Sequence, residues 1–271
     1  MTDNRVVLIT GASTGIGRSI ADYLARHRFN VFGTSRTPEA HKPPSDWKLV
    51  QLDVRSDESV ERCIQDILSR AGRLDVLINN AGYALDGALE EATLEQVKNQ
   101  FETNYFGAIR TIKTVLPAMR AQSGGYIINI SSGNASVRLP FMGHYTAAKC
   151  ALEGSSEVLR QEVRPFGIHV SVVEPDFMAS NISETIQLGK DLHEQYEPWR
   201  TRWIDAYRRE VRNGADPMII ARCILRILTS KNPRFMYLSG PRIGSGVWVH
   251  RWLPEKLSQW IFRVQSGVMS R

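Results

Sequence analysis

Short apolar runs alternate with helical patterns along nearly the whole chain, and this alternation restricts the fold more than any other feature. Arg5 to Ile9, Asn30 to Thr34, Lys48 to Leu52, Asp75 to Ile78, Gly125 to Ile130, Ile168 to Val173 and Phe235 to Leu238 read as seven strands. Between them, apolar residues recur at helical spacing. Leu94, Val97, Phe101, Tyr105, Ile109, Ile112 and Leu116 predict one long helix from Thr93 to Arg120. Ser56 or Asp57 can cap a helix running to Ala71, and Pro217 opens another that reaches Thr229. Buried strands separated by helices build a parallel sheet covered on both faces. The expected class is α/β: one doubly wound domain, with a seven-stranded parallel sheet and helices on both faces. No linker or composition break divides residues 1–271, and 42% hydrophobic content is ample for one core.

Two stretches carry chemistry. Ile127-Ile128-Asn129-Ile130 ends on Ser131-Ser132, and thirteen residues later comes Tyr145, followed after four by Lys149. Residues four apart share a helix face, and Ser132 falls at the carboxyl end of a strand, where open α/β sheets hold ligands. A phenol, an ammonium and a hydroxyl brought together suit proton transfer to or from a substrate oxygen. Near the start, Thr10-Gly11-Ala12-Ser13-Thr14-Gly15-Ile16-Gly17 joins the first strand to a helix. Glycines permit the tight turn, and the helix amino end favours pyrophosphate. The spacing departs from the common Gly-x-Gly-x-x-Gly dinucleotide pattern, and a glycine turn by itself also serves as a plain connection. The second strand ends at Ser35-Arg36, where an NAD site of this build holds an acidic residue. Arg36 can grip a 2′-phosphate that a carboxylate would repel, so NADP(H) is expected rather than NAD. Asn79-Asn80-Ala81-Gly82 suits a turn touching a ligand or a structural Asn turn, and Asn104 alone reads as a satisfied buried amide.

The totals exclude several classes. Cys63, Cys150 and Cys223 are scattered, with neither metal-ligand spacing nor a disulfide framework. No secretory leader and no run of about 18 apolar residues is found, so a cytoplasmic, soluble protein is expected. The formal charge of +6 is uneven: Tyr196 to Arg271 holds 14 Lys+Arg against 5 Asp+Glu, and five of the six tryptophans. A basic, aromatic surface suits lipid or anionic partners, but a solvated face with aromatic packing is the plainer reading. No nucleic-acid motif occurs, so no nucleic-acid partner is expected.

Taken jointly, Thr10-Gly11-x3-Gly15-Ile16-Gly17, Asn79-Asn80-Ala81-Gly82, Asn104, Ser132 and Tyr145-x3-Lys149 resemble the short-chain dehydrogenase/reductase family over roughly residues 5 to 240. Leu139-Pro140-Phe141, Leu152-Glu153-Gly154 and Pro165-Phe166-Gly167-Ile168 look most like its 17β-hydroxysteroid and retinol dehydrogenase branch. The resemblance implies a Rossmann-type domain with NADP(H) as cofactor. It implies a catalytic set of Asn104, Ser132, Tyr145 and Lys149. Tyr145 would be the acid or base, its phenol made more acidic by Lys149 and the positive nicotinamide. Ser132 would bond the substrate oxygen, and Lys149 would also hold the nicotinamide ribose. Asn104 would hold a water linking Lys149 to solvent. Gly11, Ser13, Thr14, Gly15, Ile16 and Gly17 would cradle the dinucleotide, with Ser35 and Arg36 at its 2′ position. Asp53 and Val54 would meet adenine, and Asn80, Ala81 and Gly82 the adenosine ribose side. Pro175, Met178 and Ser180 would lie by the nicotinamide. Asp176 departs from the family's usual glycine, and a carboxylate turned to water is the preferred reading there.

Asp176 to Gly214, with Trp199, Trp203 and Tyr207 on helical spacing, is the expected substrate lid; a surface helical hairpin is the alternative. Residues 241–271 form a C-terminal extension with an amphipathic helix through Leu257, Trp260, Ile261 and Val264. That helix either covers the site or a sister subunit, the plainer reading, or makes weak contact with a membrane surface. The expected function is an oxidoreductase moving a hydride between NADP(H) and an apolar carbonyl or alcohol of steroid, retinoid or aromatic-ketone type. The resemblance also implies a homodimer or homotetramer. The alternative is a non-catalytic NADP(H)-binding regulator on the same fold.

Overall fold

The computed structural model describes residues 4–42, 46–179, 186–241, 243–244, 247, 254 and 256–257. β1 (Val6–Ile9) is fully buried. Its alternating side chains feed two cores, Val7 and Ile9 on one face of the sheet, Val6 and Leu8 on the other. The other strands are β2 (Asn30–Ser35), β3 (Lys48–Gln51), β4 (Val76–Asn79), β6 (Gly125–Ile130), β7 (Ile168–Pro175) and β9 (Met236–Ser239). All seven run parallel in the order β3-β2-β1-β4-β6-β7-β9. The chain therefore reverses its winding between β1 and β4, and the crevice at their carboxyl ends is the switch point where such sheets bind ligands.

Helices α1 (Gly15–Arg26) and α8 (Met218–Thr229) cover the Val7–Ile9 face. Helices α2 (Asp57–Ala71) and α4 (Gly107–Ala121), with the end of α6 (Gly143–Val163), cover the other. Ser56 caps α2, its Oγ accepting from Ser59 N at 3.2 Å. The seven strands and five of these helices thus lie where the apolar pattern put them. The expected helix 93–120 is interrupted: α3 (Leu94–Phe101) and α4 are joined by a π-helical turn, Glu102–Phe106. That turn brings Asn104 inward, to 2% exposure. Such turns collect at functional sites.

Above the carboxyl ends lies a third apolar cluster that periodicity did not reveal. It joins Ala84, Met142, Tyr145, Trp203, Ile204, Tyr207 and Val211. Its roof is α7 (Trp199–Arg212). The segment containing α7 is pinned at both ends. At its base, Ala215 N donates to Phe177 O and Ala179 N to Ala215 O, each at 2.9 Å. Farther out, short strands β5 (Leu85–Asp86) and β8 (Gln187–Leu188) pair in parallel. The expected lid is therefore a docked helical segment. Trp203 and Tyr207 face inward, while Trp199 faces solvent at 43% exposure. Most of the tail, with Trp260, Ile261 and Val264, lies outside the described residues.

Candidate active site

A cleft of about 1420 Å³ runs from the β1–α1 turn to the roof helix α7. Gly11 takes φ +65° and Gly15 φ +57°, a region open to glycine. A Cβ on Gly11 would stand 2.9 Å from Ala81 Cα, so the turn and the loop after β4 touch backbone to backbone. Asn80 and Thr10 lock that contact. Asn80 Nδ2 donates to Thr10 O at 3.0 Å and Gly11 O at 2.8 Å. Thr10 Oγ1 accepts from Asn80 N and Ala81 N at 2.9 and 3.0 Å. Thr14 caps α1 with no side-chain bond, which leaves first-turn N–H groups for an anion.

Gly11, Ser13, Thr14, Gly15 and Ile16 line the cleft. Gly17 does not; a Cβ there would meet Gly11 O at 2.4 Å, so it serves close packing of turn and helix. Ser35 and Arg36 stand at the far end, with Asp53 and Val54 opposite and Asn80, Ala81 and Gly82 along the floor. Asp53 is already engaged: Arg55 Nε and Nη2 grip its carboxylate at 3.0 and 2.7 Å. The Arg55 bond, opposed by burial, leaves Asp53 below its ordinary pKa. Arg55 itself lines the cleft, a second cation that no motif had marked. Pro175 and Met178 border the inner end. Ser180 lies outside the described residues.

Ser132, Tyr145 and Lys149 share the inner wall. Ser132 ends the β6 connection as the cap of α5 (Gly133–Val137), its Oγ accepting from Asn134 N at 3.3 Å. Tyr145 and Lys149, one turn apart on α6, are 7% and 5% exposed. Lys149 Nζ donates to Ile130 O at 2.8 Å and lies 5.7 Å from the Tyr145 ring centre. Burial pushes the Tyr145 phenol up to about 12, with a Ser132 hydrogen bond pulling down and the Asp86 carboxylate adding to the rise. Burial brings Lys149 down to about 8, opposed by Glu153. In the protein alone, burial is the largest influence on the Tyr145 phenol, and it acts against the depression expected from Lys149 and the nicotinamide together.

Asn104 spends most of its amide on Tyr83, accepting from its N at 3.1 Å and donating to its O at 2.9 Å. Asn104 is absent from the cleft wall. Asn79 enters a buried chain instead of a ligand turn. Thr111 Oγ1 donates to Asn79 Oδ1 (2.6 Å), Asn79 Nδ2 to Asn129 Oδ1 (2.8 Å), and Asn129 Nδ2 to Ser156 Oγ (2.8 Å). This chain ties β4 and β6 to α4 and α6. Asp176 is not turned to water as preferred: its oxygens accept from Phe177 N at 2.8 Å and Ile243 N at 3.1 Å.

A model of the family described as short chain dehydrogenase matches residues 5–191. The chain belongs to the short-chain dehydrogenase family. This short-chain dehydrogenase is an oxidoreductase, with relatives among the retinol dehydrogenases expected for its branch. It is 39% identical over 267 residues to a 3-ketodihydrosphingosine reductase of Bacteroides thetaiotaomicron, covering 96% of this chain and 97% of that protein. It is 36% identical to human retinol dehydrogenase 8 over 84% of this chain and 79% of the other. A solved short-chain dehydrogenase from Streptomyces avermitilis superposes with a TM-score of 0.82, at 31% identity and 100% coverage of both chains. Among the described residues no helix is long and apolar enough to cross a membrane, and no cluster of metal-ligating side chains occurs.

Proposed function

We propose that this dehydrogenase reduces the carbonyl of an apolar, lipid-like ketone with NADPH. The carrying observation is the Ser132–Tyr145–Lys149 wall beneath the apolar roof of Met142, Trp203 and Tyr207, at the inner end of the long cleft. The glycine turn, the uncapped amino end of α1 and the cleft's length fit a dinucleotide laid from Arg36 to Lys149. Serine and arginine at the end of β2, in place of a carboxylate, favour a 2′-phosphate. When bound, the reduced nicotinamide supplies the hydride for the carbonyl carbon.

The chain's own residues do the rest. Ser132 Oγ donates to the carbonyl oxygen as charge develops on it. Tyr145 gives that oxygen a proton, and a phenol at about 12 is almost wholly protonated near neutrality, as a general acid must be. Lys149 supplies positive charge that steadies the phenolate left behind. Trp203 and Tyr207 keep water away. A keto-lipid substrate is supported by the 3-ketodihydrosphingosine reductase relative, matched over nearly its whole length.

The test is NADPH oxidation with 3-ketodihydrosphingosine, retinal and steroid ketones, repeated with NADH. Tyr145→Phe is expected to lose at least ~10²-fold in kcat while binding NADPH as before. Undiminished turnover by that variant removes Tyr145 from the chemistry, and equal rates with NADH remove the Arg36 argument.

A further inference from the structure

Lys149 is buried, and the hydrogen bond that holds its ammonium runs to a neutral partner, Ile130 O at 2.8 Å. Burial without a counter-charge favours the neutral amine. A carboxylate stands one helical turn away. Glu153 follows Lys149 by four residues on α6, so the two share a face. The sheet fixes its direction: Ser131 Oγ donates to Glu153 Oε1, and Ser131 is the residue after Ile130. Ser131 is itself buried and anchored, its N donating to Val173 O at 2.8 Å. Lysine and glutamate thus reach consecutive residues at the carboxyl end of β6, just before Ser132. The Glu153 charge opposes the loss of the Lys149 proton, and Lys149 in turn favours the Glu153 carboxylate. The other titratable groups around the pair are on neighbouring elements. Glu174 on β7 accepts from Ser136 Oγ at 3.0 Å and is pushed up by burial and then by the Glu153 charge. Cys150, next on α6, feels Glu153, Arg138 and Glu174. Tyr145 lies one turn back, with Asp86 of β5 acting on it.

We propose that Glu153 is a positioning residue for Lys149: through Ser131 it fixes the end of β6 against α6, and its negative charge keeps the buried lysine an ammonium at working pH. The proposal deepens the carbonyl-reductase reading, on which its kinetic arm rests. In that reaction the ammonium steadies the phenolate left on Tyr145, which a neutral amine cannot do. Glu153 is absent from the cleft wall, so it acts through Lys149 and not on substrate or cofactor. Its effect is to extend reduction toward alkaline pH.

The test reads the Lys149 charge in two ways. In protein labelled with 13C at the lysine Cε, an NMR titration gives the Lys149 midpoint directly, its signal assigned by its loss in Lys149→Met. Glu153→Gln keeps an oxygen for Ser131 Oγ and removes the charge, and its midpoint is expected at a lower pH than in wild type. With NADPH and the best ketone of the panel above, the ratio of kcat at pH 9 to kcat at pH 6 is expected to fall ~10-fold below the wild-type ratio, the range for losing one nearby opposite charge. A merely structural loss lowers both rates alike and leaves the ratio in place. Glu153→Asp, which restores a carboxylate, is expected to recover most of the ratio. Glu153→Met removes the same charge and decides the matter if Glu153→Gln does not fold. An unchanged midpoint or an unchanged ratio overturns the assignment and leaves the reductase standing. Reduction of no ketone in the panel by wild type overturns the reductase reading, and the NMR midpoint still decides whether Glu153 holds the charge on Lys149.

Discussion

The first turn of α7, which roofs Tyr145, carries a buried ion pair, and removing it should show how α7 is held. Arg200, in the first turn of α7, bonds Glu91 through Nη1; the two side chains are 7% and 0% exposed. Arg200→Ala leaves the Glu91 charge buried. Breaking such a pair from one side costs ~3–5 kcal/mol. Glu91 keeps bonds from Ala88 N at 2.8 Å and His193 N at 3.0 Å, which places the loss at the lower end, ~3 kcal/mol. If the loss falls on docking of α7 alone, the undocked population rises about a hundredfold. Amide exchange in residues 199–212 should then quicken by that factor, and KM for the ketone should rise with little change in NADPH affinity. If it falls on global unfolding, the melting temperature should drop by roughly 6–12 °C instead. Replacing both partners by methionine should recover much of either loss, since the unpaired charge is then gone. An Arg200→Ala variant with wild-type exchange in α7, wild-type melting and an unchanged KM would refute the view that this pair fastens α7.

Three further outcomes follow from the same geometry. Gly11→Ala puts a Cβ 2.9 Å from Ala81 Cα at φ +65°, a strain of ~1–3 kcal/mol, visible as a lower urea midpoint and weaker NADPH fluorescence titration. With Lys149 brought down to about 8, kcat for reduction should fall above that pH by up to about tenfold per unit; a profile flat to pH 10 would show that the ammonium is not needed. Glu174, fully buried and pushed up to about 7 chiefly by burial, binds a proton in the native state that the unfolded chain has released. Its contribution therefore weakens the fold as pH rises from the ordinary carboxylate range to about 7. Glu174→Gln should stabilise the protein by up to ~3 kcal/mol above pH 7 and by little at pH 4, and urea titrations at the two values check the difference.

Local information in the chain determined much of this protein. Seven strands, the glycine turn and the Ser132, Tyr145 and Lys149 positions were legible because each rests on short-range rules: apolar period, turn conformation, one helical turn of spacing. The π-helical turn at Asn104 was not, since Leu94 to Leu116 keep a helical rhythm straight through it and only contact with Tyr83 reveals the extra residue. Asn79 could be read as a ligand turn or a structural one until its partners Asn129 and Thr111, 50 and 32 residues away, were in view. The direction of the Tyr145 shift depended on how much water the roof excludes, a property of α7 and β5 together. Asp86 carried no signal in the sequence. Its burial beside the Tyr145 and Tyr207 phenols is created only by the packing of distant segments.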